Sequence, residues 1–269
     1  MTLGPREIKG LLARADRHPS RALGQNFVAD PNTVRRIAHL AGVGPGDRVV
    51  EIGAGLGSLT LALRETGAEV TSIEIDRHLV PLLRETVEPH GVTVIEADAM
   101  TFDWVSLLGD ERGWVLVANL PYNIATPLVA DLLDGVPQLE RMLVMVQREV
   151  GERLAAGVGD EQYGAVSVKV AYWADAKVVG RVPPTVFIPQ PKVESALVSI
   201  VRRAEPAADV DFGLVRAGFG QRRKMLRRAL AGLVDDAGFA CAGIRPEARA
   251  EELDVAAWGR LTACVRRPS

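Results

Sequence analysis

Glu51-Ile-Gly53-Ala-Gly55-Leu-Gly57-Ser58 continues a short apolar run that begins at Val49. Three glycines at alternate positions let a backbone turn tightly and approach a ligand closely. Further apolar runs recur at regular intervals, with amphipathic helical patterns near 57–66, 77–87 and 124–134 between them. This rhythm predicts an α/β fold with a mostly parallel sheet, in which ligands bind beyond the carboxyl ends of the strands. The further runs are Val70–Ile75, Val92–Glu96, Trp114–Ala118 and Met142–Val146.

Changes in pattern along the chain predict three segments. Residues 1–22 carry an excess of basic side chains, typical of a partly ordered arm that is either solvated or faces RNA. Residues 23–203 form the α/β domain, which ends at the linker Arg203–Asp209. Residues 209–264 show helical spacing without a strand pattern, and residues 204–269 are predicted to form a small all-helical, RNA-binding domain. The basic residues of the arm are Arg6, Lys9, Arg14, Arg17 and Arg21.

Composition excludes several classes of protein. The chain has 269 residues, of which 48% are hydrophobic and 25% charged, so a disordered chain is excluded. Its net charge of −2 excludes nucleic-acid binding through global positive charge, although a local basic patch remains compatible. Two cysteines and four scattered histidines predict neither a disulfide framework nor a metal site. Without an apolar leader or membrane span, the expectation is a soluble, cytoplasmic protein.

Acidic residues at successive strand ends indicate an adenosine-bearing ligand. The GxGxG spacing, preceded by Glu51, suits the amino-acid end of S-adenosylmethionine better than a pyrophosphate, although a tight turn alone would also use it. Glu74, at the end of the second strand, can accept two hydrogen bonds from a ribose diol, in this cofactor or in NAD. Asp98, at the end of the third, can accept from an adenine amine. Taken together, the three features favour one bound adenosine.

The fourth strand ends in Asn119-Leu120-Pro121-Tyr122, the most specific local signal. The exocyclic amine of an aromatic base is a poor nucleophile because its lone pair is delocalised into the ring. Two acceptors aimed at its N–H bonds would favour a tetrahedral nitrogen, and they would stabilise the positive charge that develops. The Asn119 side-chain oxygen and the Leu120 carbonyl can do this, since Pro121 restricts the turn. Tyr122 offers a face on which the base can stack.

Several motifs in order make the chain resemble the ribosomal RNA adenine dimethyltransferases, and among them the bacterial small-subunit type. The resemblance covers roughly residues 20–265. It implies a Rossmann-like S-adenosylmethionine-dependent methyltransferase domain that transfers methyl groups to N6 of two adjacent adenosines. These adenosines would lie in the 3′-terminal hairpin loop of 16S rRNA in the immature 30S subunit. The motifs are Gly24–Phe27, Glu51–Gly57, Glu74, Asp98–Met100, Asn119–Ile124, Phe187–Ser195 and Gln221–Lys224.

The resemblance also implies roles for single residues. Phe187 would stack on the target adenine opposite Tyr122, although a core position in a rigid loop is the alternative. Asn119 would sit where cofactor and base meet, and no metal is implied. The cofactor would be held by Asn26, Val28 (where the family usually has Leu), Gly53, Gly55, Glu74, Asp98 and Asn119.

A basic cluster in the C-terminal part is the candidate RNA contact. Five cations occupy seven residues at a predicted helix start, with Met225, Leu226, Ala229 and Leu230 as the buried side. Phosphate binding is the preferred interpretation and a solvated helix face the alternative. The cations are Arg222, Arg223, Lys224, Arg227 and Arg228.

Three rival functions remain at this stage. The erythromycin-resistance type, which methylates 23S rRNA, shares the catalytic set. An NAD-dependent reductase is disfavoured by Ser58 and by the lack of a Tyr-xxx-Lys dyad, and a non-catalytic assembly factor by the intact Asn119–Tyr122 motif. The protein is expected to act as a monomer.

Overall fold

The structure is a computed structural model that describes residues 2–20 and 22–265. Arg21, counted above among the basic residues of the arm, lies outside the described residues, as do Met1 and residues 266–269. The chain forms two compact units. The first comprises Met1–Gly151 with Lys177–Val201, and the second comprises Glu152–Ala176 with Arg202–Ser269.

Nine strands are present in the described part of the chain: β1 (Phe27–Val28), β2 (Arg48–Ile52), β3 (Glu69–Glu74), β4 (Thr93–Glu96), β5 (Trp114–Asn119), β6 (Leu139–Gln147), β7 (Ala174–Val182), β8 (Phe187–Ile188) and β9 (Ser195–Arg202). Seven form one sheet in the order β4-β3-β2-β5-β6-β9-β7, while β1 pairs with β8. Strands β2 to β6 are mutually parallel, and β9 runs antiparallel to β6. The predicted α/β fold is therefore confirmed.

The helices cover the sheet and build the second unit. Asp30 begins the second helix as its N-cap, because its Oδ2 accepts from the Thr33 amide at 2.9 Å. The Thr33 hydrogen bonds hold the pKa of Asp30 below its usual value. The helices are α1 (Pro5–Arg14), α2 (Pro31–Ala41), α3 (Ser58–Glu65), α4 (Val80–Val87), α5 (Trp104–Leu108), α6 (Ala125–Gly135), α7 (Arg148–Leu154), α8 (Ala165–Trp173), α9 (Phe212–Gly220), α10 (Leu226–Ala229), α11 (Asp236–Ala242) and α12 (Val255–Val265).

Burial accounts for the strand pattern. Val49, Val115 and Val117 are almost completely buried, as expected for strands covered on both faces by helices.

Short 3-10 turns occur at Glu88–His90, Pro184–Val186 and Ala250–Glu252. In the residues that the structure describes, no helix is both long and apolar enough to cross a membrane.

Part of the predicted N-terminal arm is instead a helix, the ten residues of α1. Helix α1 buries Ile8 and Leu12, four residues apart on one face, against Phe27, Leu56 and Leu79. The high density of cations in this segment masked its amphipathic spacing in the sequence, because these cations occupy the outer face.

The second unit includes a segment that the sequence had placed in the α/β domain. Residues 152–176 contribute helix α8, whose Val168 packs in one cluster with Leu214 and Leu261. Tyr163 Oη donates to the Leu253 carbonyl at 2.9 Å. The predicted boundary at 203/204 lies close to the observed division at 201/202, but the unit is discontinuous in sequence.

A disulfide joins two helices of the second unit. Cys241 of α11 is bonded to Cys264 of α12 across 23 residues of sequence. The sequence analysis had ruled out only a framework of several disulfides, and this single bridge is compatible with that conclusion.

Candidate functional site

The glycine-rich loop between β2 and α3 forms one wall of a cavity. Gly53, Gly55 and Gly57 all have positive φ values, of 74°, 59° and 91°. A Cβ atom at Gly55 would lie only 2.9 Å from the Phe27 ring, so the loop and β1 approach each other at a distance that only glycine permits. Gly53 donates its N–H to the Ile73 carbonyl at 2.8 Å, which fixes the turn against β3.

The cavity lies at the carboxyl ends of β2, β3 and β5 and has a volume of about 80 Å³. Nine predicted site residues line it: Asn26, Val28, Gly53, Gly55, Glu74, Asn119, Leu120, Pro121 and Tyr122. The analysis of the sequence missed several others, including Ile8, Leu23, Gln25, Leu56, Ser58 and Ile75. Ile75 is 47% exposed although it is apolar, and its place directly after Glu74 was the available signal in the sequence.

Two predicted residues lie outside the cavity wall. Asp98 follows the end of β4, where its Oδ1 accepts from the Met100 amide at 2.9 Å, and it stays a predicted adenine acceptor. Phe187 corrects the expectation of a base-stacking ring. It is 4% exposed, pairs with Val28 through β8 and β1, and belongs to the main hydrophobic cluster. The structure therefore places Phe187 in the alternative, core position.

Glu74 is buried and anchors the glycine loop. Its Oε2 accepts from the Gly55 amide at 2.7 Å, and its Oε1 accepts from the Asp76 amide at 2.9 Å. Burial raises the pKa of Glu74, although these backbone donors oppose the shift. Each carboxylate oxygen has two lone pairs, so the side chain retains the capacity to accept from a ligand diol.

Glu51 is a second buried carboxyl group in the cavity. Its Oε2 accepts from the Thr60 and Ser72 hydroxyls, at 2.5 and 2.9 Å. Burial raises the pKa of Glu51 to about 7, and the nearby charge of Glu74 adds to the shift. The raised pKa values favour the protonated, neutral forms of both carboxyl groups without a ligand, and a cationic group bound nearby would favour their ionised forms.

The side chain of Asn119 has a fixed orientation. Its Nδ2 donates to the Asn26 carbonyl at 3.0 Å, so its Oδ1 is the atom turned away from that contact. A Cβ atom at Gly24 would lie 3.2 Å from Pro121, which shows how closely the loop before β1 packs on the turn after β5. Tyr122 Oη lies 3.4 Å from the Ser195 hydroxyl. The structure thus brings the predicted catalytic turn and part of the predicted cofactor site together.

The basic cluster in the second unit divides into two kinds of cation. Arg222 Nε contacts Glu251 at 2.8 Å and its Nη2 donates to the Glu161 carbonyl at 2.7 Å, while Arg227 pairs with Glu247 at 3.3 Å. The remaining three cations are exposed and have no acidic partner among the described residues. They are Arg223, Lys224 and Arg228.

Helix α10, which contains Arg227 and Arg228 of this cluster, is only four residues long. Of its predicted buried side, Leu226, Ala229 and Leu230 are buried, but Met225 is 40% exposed. Met225 precedes the first helical residue, so it lies outside the helical periodicity that predicted its burial.

Comparison with known proteins assigns a family. The family model described as ribosomal RNA adenine dimethylase matches residues 18–266. The ribosomal RNA small subunit methyltransferase A of Thermobifida fusca is 45% identical over 274 residues, which cover 96% of this chain and 94% of that protein. The protein of the same name from Streptomyces coelicolor is 46% identical, with 96% and 95% covered.

Solved structures agree with this assignment. The 23S rRNA methyltransferase ErmE superposes with a TM-score of 0.70 and is 27% identical, with 90% of this chain and all of that chain covered. A dimethyladenosine transferase from Plasmodium falciparum gives a TM-score of 0.71 at 25% identity, with 86% and 94% covered. The predicted Rossmann-like methyltransferase fold and enzyme class are confirmed. The chain belongs to the ribosomal RNA adenine dimethylase family.

Proposed function

We propose that the protein transfers methyl groups from S-adenosylmethionine to N6 of two adjacent adenosines in the 3′-terminal hairpin loop of 16S rRNA, within the immature 30S subunit. The observation that carries the proposal is the fixed Asn119 amide beside a cavity walled by a glycine loop and two buried carboxyl groups. The small-subunit relatives, at 45% and 46% identity, support this target over the 23S alternative.

The residues around the cavity fit the cofactor. The positive φ values at Gly53 and Gly55 leave the loop without side chains, so a ligand can approach its backbone. Glu74 would accept from the ribose hydroxyls, while Glu51 faces the same cavity with a carboxylate suited to the ammonium group. When bound, S-adenosylmethionine supplies an electrophilic methyl group. Asn26 and Val28 would complete its site, with Asp98 as acceptor for the adenine amine.

The catalytic turn prepares the target amine. Asn119 Oδ1 and the Leu120 carbonyl would accept the two N–H bonds of the adenine amine and leave its lone pair free. Both acceptors would then stabilise the positive charge on the nitrogen, and they need little reorganisation because the Asn26 carbonyl already holds the Asn119 amide. Of the predicted stacking pair Tyr122 and Phe187, only Tyr122 faces the cavity, and it would stack on the base.

RNA binding would assist by extracting the base from its stack. Base flipping costs a few kcal/mol, and contacts to the RNA backbone can offset this cost. The three cations without acidic partners, Arg223, Lys224 and Arg228, are the strongest candidates for these contacts. Arg222 and Arg227 already have acidic partners within the protein.

The test is methylation of unmodified ribosomal particles. The full chain is incubated with labelled S-adenosylmethionine and with 30S or 50S particles that lack adenine dimethylation, and the modified bases are mapped. We expect label at N6 of two adjacent adenosines near the 3′ end of 16S rRNA. The absence of label on both particles, from a folded protein that binds the cofactor, contradicts the proposal.

Methylation of 23S rRNA is the second candidate. The superposition on ErmE, with all of that chain covered, is the observation in its favour. Label confined to the 50S particle would establish this second function in place of the first.

A further inference from the structure

Helix α1 lies against the cofactor cavity, outside every motif that predicted the site. Ile8 is completely buried and lines the cavity beside Leu56 and Ser58. The Ser58 hydroxyl donates to the Leu3 carbonyl at 3.3 Å, which extends the contact to the residues before the helix. The N-terminal segment therefore contributes a side chain to the wall of the cavity.

The cavity is small while α1 is docked. Its volume of about 80 Å³ is well below the ~300–1,000 Å³ of typical small-molecule sites. A nucleoside cofactor occupies more space than this, so it fits only if it extends through the mouth of the cavity or if part of the wall moves. The glycine loop cannot supply this movement easily, since Glu74 and the Ile73 carbonyl both bind its backbone amides.

Helix α1 is held by few buried contacts. Only Ile8 and Leu12 of its ten residues are buried. The ion pair between Arg14 and Glu85 has both side chains more than half exposed, at 55% and 60%, and such pairs contribute only ~0–1 kcal/mol. The hydrogen bond between Arg17 and His78 is also exposed. A short element with few buried contacts opens at low cost in free energy.

We propose that α1 is a movable wall of the cofactor site: it undocks to admit S-adenosylmethionine and then packs on the bound cofactor through Ile8, farther out than its position without cofactor. This inference rests on the proposed cofactor. Cofactor binding and docking of α1 are then coupled, so each strengthens the other by the same factor.

Two variants on the same helix face separate docking from cofactor contact. Both side chains pack in the hydrophobic cluster beneath the helix. Ile8 also lines the cavity, whereas Leu12 does not. Leu12→Ala should raise the association and dissociation rates of S-adenosylmethionine alike, by about tenfold or more, because truncation of a buried leucine weakens docking in both states. Its Kd should stay within about twofold of wild type. Ile8→Ala should raise the dissociation rate further, and thus weaken the Kd by about three- to tenfold, because the cofactor also loses its contact.

Stopped-flow binding of S-adenosylmethionine and hydrogen exchange of α1 amides measure these effects without turnover. In the wild type, saturating cofactor should slow exchange in α1 by roughly tenfold. Unchanged rates in both folded variants, or α1 exchange that is insensitive to bound cofactor, would overturn the movable wall. A dissociation rate raised in Ile8→Ala but unchanged in Leu12→Ala would also overturn it, since the wall would then be rigid. Failure of the wild type to bind S-adenosylmethionine would instead refute the proposed function.

Discussion

Asn119 shows how one hydrogen bond can decide the chemistry of a side chain. The amide can present either a donor or an acceptor to the target base, and only the acceptor suits an amine that must become nucleophilic. Because Nδ2 is held by the Asn26 carbonyl, the oxygen is the atom that would face the base in the proposed reaction. In the proposed reaction, the loop before β1 would therefore position Asn119 through a backbone carbonyl.

Replacement of Asn119 should affect the methyl-transfer step far more than cofactor binding. We expect Asn119→Ala to lower the single-turnover rate by about 10²-fold or more, because a preorganised charge-stabilising group is lost. The Kd for S-adenosylmethionine should change by less than about tenfold, as measured by isothermal titration calorimetry. Asn123→Ala, in the same turn but outside the cavity wall, is the control and should retain nearly the wild-type rate. Near-normal methylation by Asn119→Ala would refute this role.

Glu51 should make the stability of the cofactor-free protein depend on pH. Burial raises its pKa from the ordinary 4.5 to about 7, so the folded protein keeps a proton that the unfolded chain releases. The unfolded state therefore binds fewer protons between these values, and the free energy of unfolding falls as the pH rises through this window. Above about pH 7 both states are ionised and the penalty is constant.

Glu51→Gln removes this penalty. Relative to wild type, the variant should gain on the order of 2–3 kcal/mol in unfolding free energy between pH 5 and pH 8. Urea unfolding gives the unfolding free energy of each protein at pH 5 and at pH 8. The change between the two pH values is compared for the variant and the wild type, so any pH-independent effect of the amide cancels. Parallel pH profiles for the two proteins would show that Glu51 titrates normally.

At the scale of elements, the three glycines of the loop after β2 have different tasks. Gly53 and Gly55 line the cavity, but Gly57 does not. A Cβ atom at Gly57 would lie 2.6 Å from Val87 and 3.2 Å from Leu83, so this glycine allows the residue before α3 to approach α4 closely. The spacing of the motif combines a ligand-facing turn with a helix contact.

Gly57→Ala should therefore destabilise the fold. We expect a loss of about 2–5 kcal/mol, as the sum of a left-handed backbone and an overpacked contact. Gly46→Ala is the matched control, because Gly46 has a similar φ of 90° and open space around it. Its loss should be only about 1–2 kcal/mol. Equal losses of unfolding free energy for the two variants, measured by urea unfolding, would show that α4 accommodates the added methyl group without destabilisation.

At the scale of the whole molecule, RNA binding has to rest on local charge. The net charge of −2 supplies no overall attraction to a polyanion. Five cations lie within seven residues of the second unit, but two of them have acidic partners. The effective patch is thus smaller than the sequence suggests.

Removal of the cations without acidic partners should change the salt dependence of RNA binding. Arg223→Ala combined with Lys224→Ala should weaken binding to the unmethylated particle and make the slope of log affinity against log salt shallower by up to about two units. The control combines Arg222→Ala with Arg227→Ala, which changes the net charge equally but removes paired cations, and its slope should change less. Both proteins should bind S-adenosylmethionine as wild type does. Identical slopes in both double variants would indicate a solvated surface.

Local pattern in the sequence was enough to predict much of the molecule. The alternation of apolar runs and helical spacing predicted the parallel strands and the helices between them, because side-chain periodicity reflects which face is buried. The glycine spacing, Glu74 and the Asn119–Tyr122 turn predicted most of the cavity wall, because parallel strands bring their carboxyl ends to one edge. These features depend on residues close together in the chain.

Long-range contacts decided the rest. Phe187 was ambiguous in sequence, and the pairing of β8 with β1 placed its ring in the core. Ile8 lines the cavity, although the basic residues around it in the sequence are typical of a solvated arm. Arg222 found Glu251, 29 residues away, and so differs from its neighbour Arg223. Such partners are chosen by three-dimensional packing, which a local pattern does not contain, and only the tertiary structure could assign them.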